Sequence, residues 1–386
     1  MKLTVEKEKI IDGLIKAAAI MPAKAGAAYL RSIWLQAKGD TLSIMATDAN
    51  IEFTGIYPAQ VEEEGLAGIQ GRAFVDLMRK LPNTPINISQ DKDSSTLRLE
   101  QGRRNYRLAM SNPDWFQAFS PFPEGEAVAW TGSVLEEYLD RVTFCISDDD
   151  LQDSLGCLCI KPRENGRLDL CGLNGHQFAL VSFIYDDLCS RLPPEGLLIQ
   201  KKYLADIKKW LGPDELELNL TDKRLYLRRL DGAEMLSLPR ALYDYPDYNL
   251  FMDKLNAPDL TRLSVGRKAV GECLGRLQVF NTEADRCVYM DMKPGEVLFS
   301  VQGSDLGSAR ENLEAEYDGS LERIAFPTKN LLDILGHFNS EQINMKFTGA
   351  EGPCGIVGPD DMGYVVIIMP MKMASSSYYD DEEESV

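Results

Sequence analysis

Arg72–Leu81 reads RAFVDLMRKL, Lys202–Leu211 reads KYLADIKKWL, and Lys329–Phe338 reads KNLLDILGHF. In each, a basic residue precedes an aspartate by four positions: Arg72 and Asp76, Lys202 and Asp206, Lys329 and Asp333. Apolar residues recur at helical spacing, with Phe74, Leu77, Met78 and Leu81 in the first and Leu331, Ile334, Leu335 and Phe338 in the third. That spacing places one apolar stripe along an amphipathic helix. The middle segment keeps Leu204, Ile207 and Leu211 but carries Lys208 where the others are apolar. The segments start 130 and 127 residues apart, so one unit repeated three times fills a 386-residue chain.

Three further sets keep the same period. Ile10, Leu14 and Lys16 correspond to Leu135, Leu139 and Arg141, then to Val270, Leu274 and Arg276. LSIMATDAN (42–50), LDLCGLNGH (168–176) and LFSVQGSDL (298–306) each read as an alternating strand running into a polar turn. RLAMSNPDW (107–115), MLSLPRALY (235–243) and VVIIMPMKM (365–373) read as the strand that closes each unit. Each unit is therefore helix, strands, helix, strands, an α+β arrangement with antiparallel sheets packed on helices. Proline-containing linkers, SPFPEG (120–125) and YDYPDYNLF (243–251), set the expected domains at 1–125, 126–252 and 253–373. The remainder, 374–386, has five acidic residues and no apolar periodicity, a composition of the disordered class.

A net charge of −19 with 44% hydrophobic residues suits large cores and argues against general coating of nucleic acid. The opening MKLTVEKEKI has no apolar leader stretch, and no run approaches the ~20 residues of a membrane span. Eight cysteines without a secreted-type framework point to a reducing cytoplasm. Against the acidic balance, the polar faces of the repeated helices gather Lys7, Lys9 and Lys16, then Arg72, Arg79 and Lys80, then Lys201, Lys202, Lys208 and Lys209, then Arg267, Lys268 and Arg276. Singly, each reads as part of a solvated helix face. Their recurrence on equivalent helices points to one surface facing a polyanion.

The triple repeat, the Gly175-His176 turn, the stretch Tyr245-Pro246-Asp247-Tyr248 and the terminal Met369-Pro370-Met371-Lys372 together resemble the bacterial DNA polymerase III β sliding clamp family, from residue 1 to about residue 373. The resemblance implies a non-catalytic processivity factor, a head-to-tail homodimer of six similar domains closed around duplex DNA, with twelve helices lining the hole. Twelve helices side by side at ~10 Å give a circumference of ~120 Å and an opening ~38 Å across. Duplex DNA is ~20 Å wide, which leaves water all round and non-specific, screened attraction to phosphates. The implied DNA-facing residues are Lys24, which follows the first helix, with Arg79, Lys80, Lys202, Lys208 and Arg276.

The family carries a pocket for a short linear peptide borne by the polymerase III catalytic subunit, the clamp loader, other polymerases and repair proteins. The matching positions are Leu173, Gly175, His176, Gln177 and Phe178, then Pro246 and Phe251, then Ile367, Met369, Pro370 and Met371. Leu155 joins them across a gap in the match. Flexible, polarizable methionines suit a pocket that accepts several partners. Gln177 and Phe178 stand where the family usually has Arg-Leu, which removes a charge from the pocket and adds a ring. Ring closure in the family sets an edge strand of the first domain against a helix and strand of the partner's third. Tyr106 and Leu108 match the first side, and Val279 and Phe280 the second.

Other chemistries find little in the chain. It has two histidines and neither a phosphate-binding G-x-x-x-x-G-K loop nor an H-E-x-x-H helix. Cys157, Cys159, Cys171 and His176 invite comparison with a metal site, but alternation puts Cys157 and Cys159 on one strand face, where small buried thiols are common. No cofactor and no metal is expected. A peptide-binding scaffold that never encircles DNA is the competing reading, and it has no need of basic helices in every repeat.

Overall fold

Eight α-helices alternate with antiparallel strands among the described residues: α1 (Lys7–Ile20), α2 (Gly71–Lys80), α3 (Gly132–Thr143), α4 (Asp186–Arg191), α5 (Lys201–Trp210), α6 (Asn249–Leu255), α7 (Arg267–Leu277) and α8 (Thr328–Gly336). The computed structural model describes the chain except residues 23–26, 91–94, 149–153, 259, 284, 304–306 and 373–386. Lys24 and the acidic tail thus lie outside the described residues. The six helices read from the repeat are present, and α4 and α6 are two short additions. The repeat stripes face inward as expected: Ile10 and Leu14 in α1, Phe74 and Met78 in α2, Leu204 and Ile207 in α5, Val270 and Leu274 in α7, and Leu331 and Ile334 in α8 are all buried. Helix α2 shows how its ends are set. The Gln70 side chain accepts from the Ala73 N–H at 2.7 Å, and Arg79 and Lys80 sit in the last turn, where the helix dipole favours cations.

The chain packs as two units, Met1–Leu139 with Leu197–Leu242, and Asp140–Gly196 with Tyr243–Val386. The middle repeat is therefore shared between units, because sheets run on across repeat borders. In the first unit thirteen strands form one hydrogen-bonded succession, from Val128–Thr131 to Gln60–Glu63. Within it, Glu234–Pro239 pairs antiparallel with Glu52–Pro58, Leu236 opposite Phe53. A buried ionic cluster fastens the same junction. Glu234 accepts from Lys16 at 2.8 Å, from Arg229 Nε at 3.1 Å and from the Tyr57 hydroxyl at 2.9 Å. Gly13 and Gly55 form the slot for that tyrosine, since a side chain on either would overlap its ring.

In the second unit, Cys157–Pro162, Arg167–Leu173 and Gln177–Ile184 lead to the closing strand Tyr364–Ile368, and the succession ends at Arg323–Pro327. Gln177–Ile184 pairs with Tyr364–Ile368, Phe178 opposite Ile367. All five residues of the closing strand are buried because both faces are covered. On one face the Tyr364 ring lies 4.7 Å from that of Phe338, just past α8. On the other, Gly355, which pairs with Ile367, leaves room for Leu255 of α6. The end of α8 is stapled by Asp361, whose buried carboxylate accepts from the N–H groups of Asn339 and Ser340, from Ser340 Oγ at 2.6 Å, and pairs with Arg141 at 3.3 Å.

Candidate functional site

Of the residues matched to a peptide pocket, Leu173, Phe178 and Ile367 share one face of the second unit's sheet. Between Arg167–Leu173 and Gln177–Ile184 the chain turns at Gly175, whose φ of +84° suits glycine. Asn174 Oδ1 holds the turn by accepting from the N–H groups of His176 at 3.0 Å and Gln177 at 2.8 Å. Leu173 lies opposite Phe178, and Phe178 opposite Ile367, so the three form one row across three strands. His176 is exposed, and its carbonyl accepts from the Met369 N–H at 2.9 Å, bringing the chain end to the turn. Beyond it, Met369 and Pro370 are half-buried, and Met371 is 44% exposed with its N–H bonded to the Ala325 carbonyl. Pro246 and Phe251 are half-buried on either side of Tyr248. Leu155 is half-buried in a turn where its carbonyl accepts from Ser147, and among the described residues no hydrogen bond ties it to the row.

The two departures from the family pattern differ in placement. Phe178 is 2% exposed, with its ring 5.1 Å from that of Tyr248. Gln177 is 6% exposed. Because Asn174 Oδ1 is taken by two backbone donors, its amide nitrogen faces Gln177 and requires the Gln177 oxygen there, at 3.3 Å. That leaves Gln177 Nε2 as a buried donor without a partner among the described residues.

Sequence reasoning missed the cluster beneath Tyr248. The Tyr248 hydroxyl donates to Asp169 Oδ2 at 2.9 Å, Arg163 Nε donates to the same oxygen at 2.7 Å, and Ser182 Oγ donates to Oδ1 at 2.8 Å. The Arg163 guanidinium also lies 4.8 Å above the tyrosine ring. Burial, then the nearby Cys171 and Asp169, raise the Tyr248 hydroxyl far above its usual range, so it stays a donor. The one available signal was an aspartate alternating with leucines in LDL at 168–170, since a buried carboxylate needs donors. Cys159 and Cys171 are opposite one another on paired strands, and burial pushes the Cys171 thiol up, while His176 is out on the turn. Among the described residues no three His, Cys, Asp or Glu side chains converge as metal ligands.

The basic helix faces divide into two kinds. Arg79 and Lys80 are exposed on α2, opposite buried Phe74, Val75 and Met78. Lys202 is exposed in the first turn of α5, its ammonium 4.9 Å from the Tyr203 ring centre, and Lys208 is half-buried in the last turn. Arg276 is exposed but forms a two-pronged pair with Glu311, at 2.9 and 2.7 Å. Hydrogen bonding to Arg276 foremost holds the Glu311 carboxyl below its usual range. Three cations of the expected polar faces are turned inward instead: Lys7 is buried against the Leu81 carbonyl, Lys16 is held by Glu234, and Arg267 Nε donates to the Ser340 carbonyl at 2.7 Å. They are structural.

Each unit also presents an open strand edge. Arg104–Ser111 pairs with Thr96–Gln101 along its length, but with Gly65–Gln70 only at Met110 and Ser111. Residues 104–109 thus leave one edge unpaired among the described residues, with Arg104 and Arg107 exposed and Tyr106 and Leu108 half-buried. Gly307–Asp318 pairs with Glu296–Gly303 over its first part and with Thr261–Gly266 only from Ala315 onward. Its open part carries exposed Arg310 and Glu314 and half-buried Glu311, the last already paired with Arg276. In the turn Gln278–Phe280 after α7, Val279 is 69% exposed and Phe280 half-buried.

Family models match at both ends of the chain: the DNA polymerase III beta subunit N-terminal domain over residues 1–119, and the C-terminal domain over 259–372. The chain is 24% identical over 377 residues to the beta sliding clamp of Caulobacter vibrioides (strain NA1000 / CB15N), spanning 97% of this chain and 100% of that protein. It is 24% identical over 384 residues to the beta sliding clamp of Streptomyces coelicolor, with the same coverage. Its fold matches Caulobacter crescentus pol III beta with a TM-score of 0.88 at 23% identity, over 97% of this chain and 100% of that one. A Bartonella birtlesii sliding clamp bound to griselimycin matches with a TM-score of 0.87 at 21% identity and the same coverage.

Proposed function

The chain belongs to the DNA polymerase III β-subunit family of sliding clamps, and on that premise we propose that two copies close head to tail around duplex DNA and tether the replicative polymerase to it. The observation that carries this reading is the pair of open strand edges. One displays Arg104 and Arg107, the other Glu311 and Glu314 preceded by Arg310, each beside a small apolar group: Tyr106 and Leu108, or Val279 and Phe280. Unpaired edges invite strand addition, opposite charges set the register, and two equal heterologous contacts cover both of these edges as they close a ring. Arg276 then has a second use, because its pair with Glu311 bears on the acidic edge as well as on DNA.

The three repeats, 1–125, 126–252 and 253–373, serve as the ring's domains, and their basic helices face the DNA. Arg79, Lys80 and Lys202 are the cations best supported by exposure, and Lys24, Lys208 and Arg276 complete the expected set. The row Leu173–Phe178–Ile367, with the turn at His176 and Met369, receives the peptides of the polymerase III catalytic subunit, the clamp loader, and other polymerases and repair proteins. No residue is assigned a catalytic role and no cofactor is needed, because topology rather than affinity supplies processivity. Its place of work is the cytoplasm, where the chromosome is copied.

The test is retention on nicked circular DNA in the presence of clamp loader and ATP, followed by release when the circle is linearised. Retention that survives linearisation would replace topology with direct binding. Peptide binding without any retention would favour a scaffold that does not encircle DNA.

A further inference from the structure

We infer that a second groove, on the far side of Tyr248 from the peptide pocket, seats an apolar side chain from the stretch of partner protein next to the pocket-bound peptide. The inference rests on the peptide-pocket reading above. The groove has a volume of about 920 Å³, enough for a few residues of extended chain. It continues the pocket's own sheet face. The row Phe178 and Ile367 is followed two residues along each strand by Leu180 and Val365, about 6.6 Å further on. One ring divides the two sites, for Tyr248 packs on Phe178 and also lines the groove, and α6 contributes Phe251 to one and Met252 to the other.

The chemistry of the lining selects the occupant. At the polar centre, Asp169 takes donors from Arg163, Tyr248 and Ser182, and Arg163 NH2 also donates to Asn249 Oδ1 at 3.0 Å. These groups satisfy one another, so the centre offers little to a charged or strongly polar ligand. The apolar part is different. Leu180, Val365 and Val357 form a floor, and the rim carries Ile184 at 71% and Met362 at 89% exposure beside exposed Glu164, Asn165 and Arg167, with Leu250 at 66% on the neighbouring α6. Large apolar side chains left in water around a concave floor mark a protein-binding surface, and methionine at the rim adapts to varied side chains. A groove adjoining the pocket is reached by the same partner chain at high effective concentration, so modest contacts there add to affinity. The occupant is thus an extended segment bearing leucine, methionine or an aromatic residue, a few residues from the pocket peptide.

The experiment uses the full-length protein and two probes: the intact polymerase III catalytic subunit of the same organism, and the short peptide excised from it that competes for the pocket. Ile184→Glu and Met362→Glu change exposed side chains. Each is expected to weaken the intact subunit about tenfold, equivalent to about 1.4 kcal/mol, and to leave the excised peptide unchanged. Met369→Ala weakens both probes. Unchanged affinity of the intact subunit for both groove variants overturns the proposal. So does equal weakening of the excised peptide, which would mean a distorted pocket. Tighter binding by the groove variants, lost on removal of residues 374–386, assigns the groove to this chain's own tail. A shift in oligomeric state assigns it to a second copy. If neither probe binds the unaltered protein, it is the peptide-pocket reading that fails, an outcome distinct from all of these.

Discussion

Replacing Tyr248 with phenylalanine removes one oxygen and keeps the ring. The contact with Phe178 at 5.1 Å and the Arg163 guanidinium 4.8 Å above the ring are retained. What disappears is the 2.9 Å donor to Asp169 Oδ2, leaving that carboxylate with Arg163 at 2.7 Å and Ser182 at 2.8 Å. A hydrogen bond to a charged group contributes about 1.5–3 kcal/mol, and with Arg163 still in place the lower half of that range applies, about 2 kcal/mol. Tyr248→Ala also removes the ring between pocket and groove and costs about 3–5 kcal/mol. Urea unfolding at pH 7 measures both, and hydrogen exchange shows whether the loss falls within the second unit. Peptide affinity should change less than about threefold in the phenylalanine variant, under about 0.7 kcal/mol, and collapse in the alanine variant.

The pH dependence supplies a second check on Tyr248. Burial above all raises its hydroxyl from an ordinary value of 10.0. A raised acid group contributes stability that is complete below the unfolded value and is lost as pH rises beyond it. The unaltered protein should therefore lose stability above about pH 10 through this group, the phenylalanine variant should not, and the gap between them should narrow. A destabilisation below about 0.5 kcal/mol at pH 7 would refute the hydrogen-bond account, because the Asp169 contact would then contribute no more than a surface change.

Paired charge reversal at Lys24 and Arg79 should impair loading and DNA-dependent processivity while the dimer persists, with single reversals mild because exposed charges are screened; normal loading by the pair would move the DNA-facing surface elsewhere. Phe280→Ala should shift the protein toward monomer on dilution, at a cost of up to about 3 kcal/mol per interface, with each subunit still folded by circular dichroism; an unchanged dimer would relocate the contact. Asp361→Asn should cost about 2–3 kcal/mol at neutral pH. Burial pushes that carboxyl up, but Ser340, Asn339 and Arg141 outweigh it and hold it below its usual 3.8. Its contribution is therefore complete above that value and lost as pH falls through the lower, folded-state value, so the variant's acid unfolding curve should be flatter; curves that run parallel would show the carboxylate is not ionised in the folded protein.

Residue spacing alone predicts the triple repeat, the six repeat helices and their buried stripes, and the closing strands. These follow from spacings of two to four residues, which the local geometry of helix and strand converts directly into one face or another. It also brought the pocket row within reach, through the turn at Gly175 and the methionine-rich end. Which cations are held by partners is settled only when the chain folds. Lys7 and Arg267 hold equivalent first positions of their repeat helices and Lys16 holds the position of exposed Arg276, and the partners of Lys7, Lys16 and Arg267 lie 74, 218 and 73 residues away. Packing likewise set the units apart from the repeats, because Glu234–Pro239 pairs with Glu52–Pro58, and Gln177–Ile184 with Tyr364–Ile368. A helix stripe says that a face will be buried, not what will cover it. A strand's alternation names its two faces and leaves its edges unassigned, and the hydrogen bonds that join repeats into sheets, like the donors that gather on Asp169, are made at those edges and faces only once the distant chain arrives.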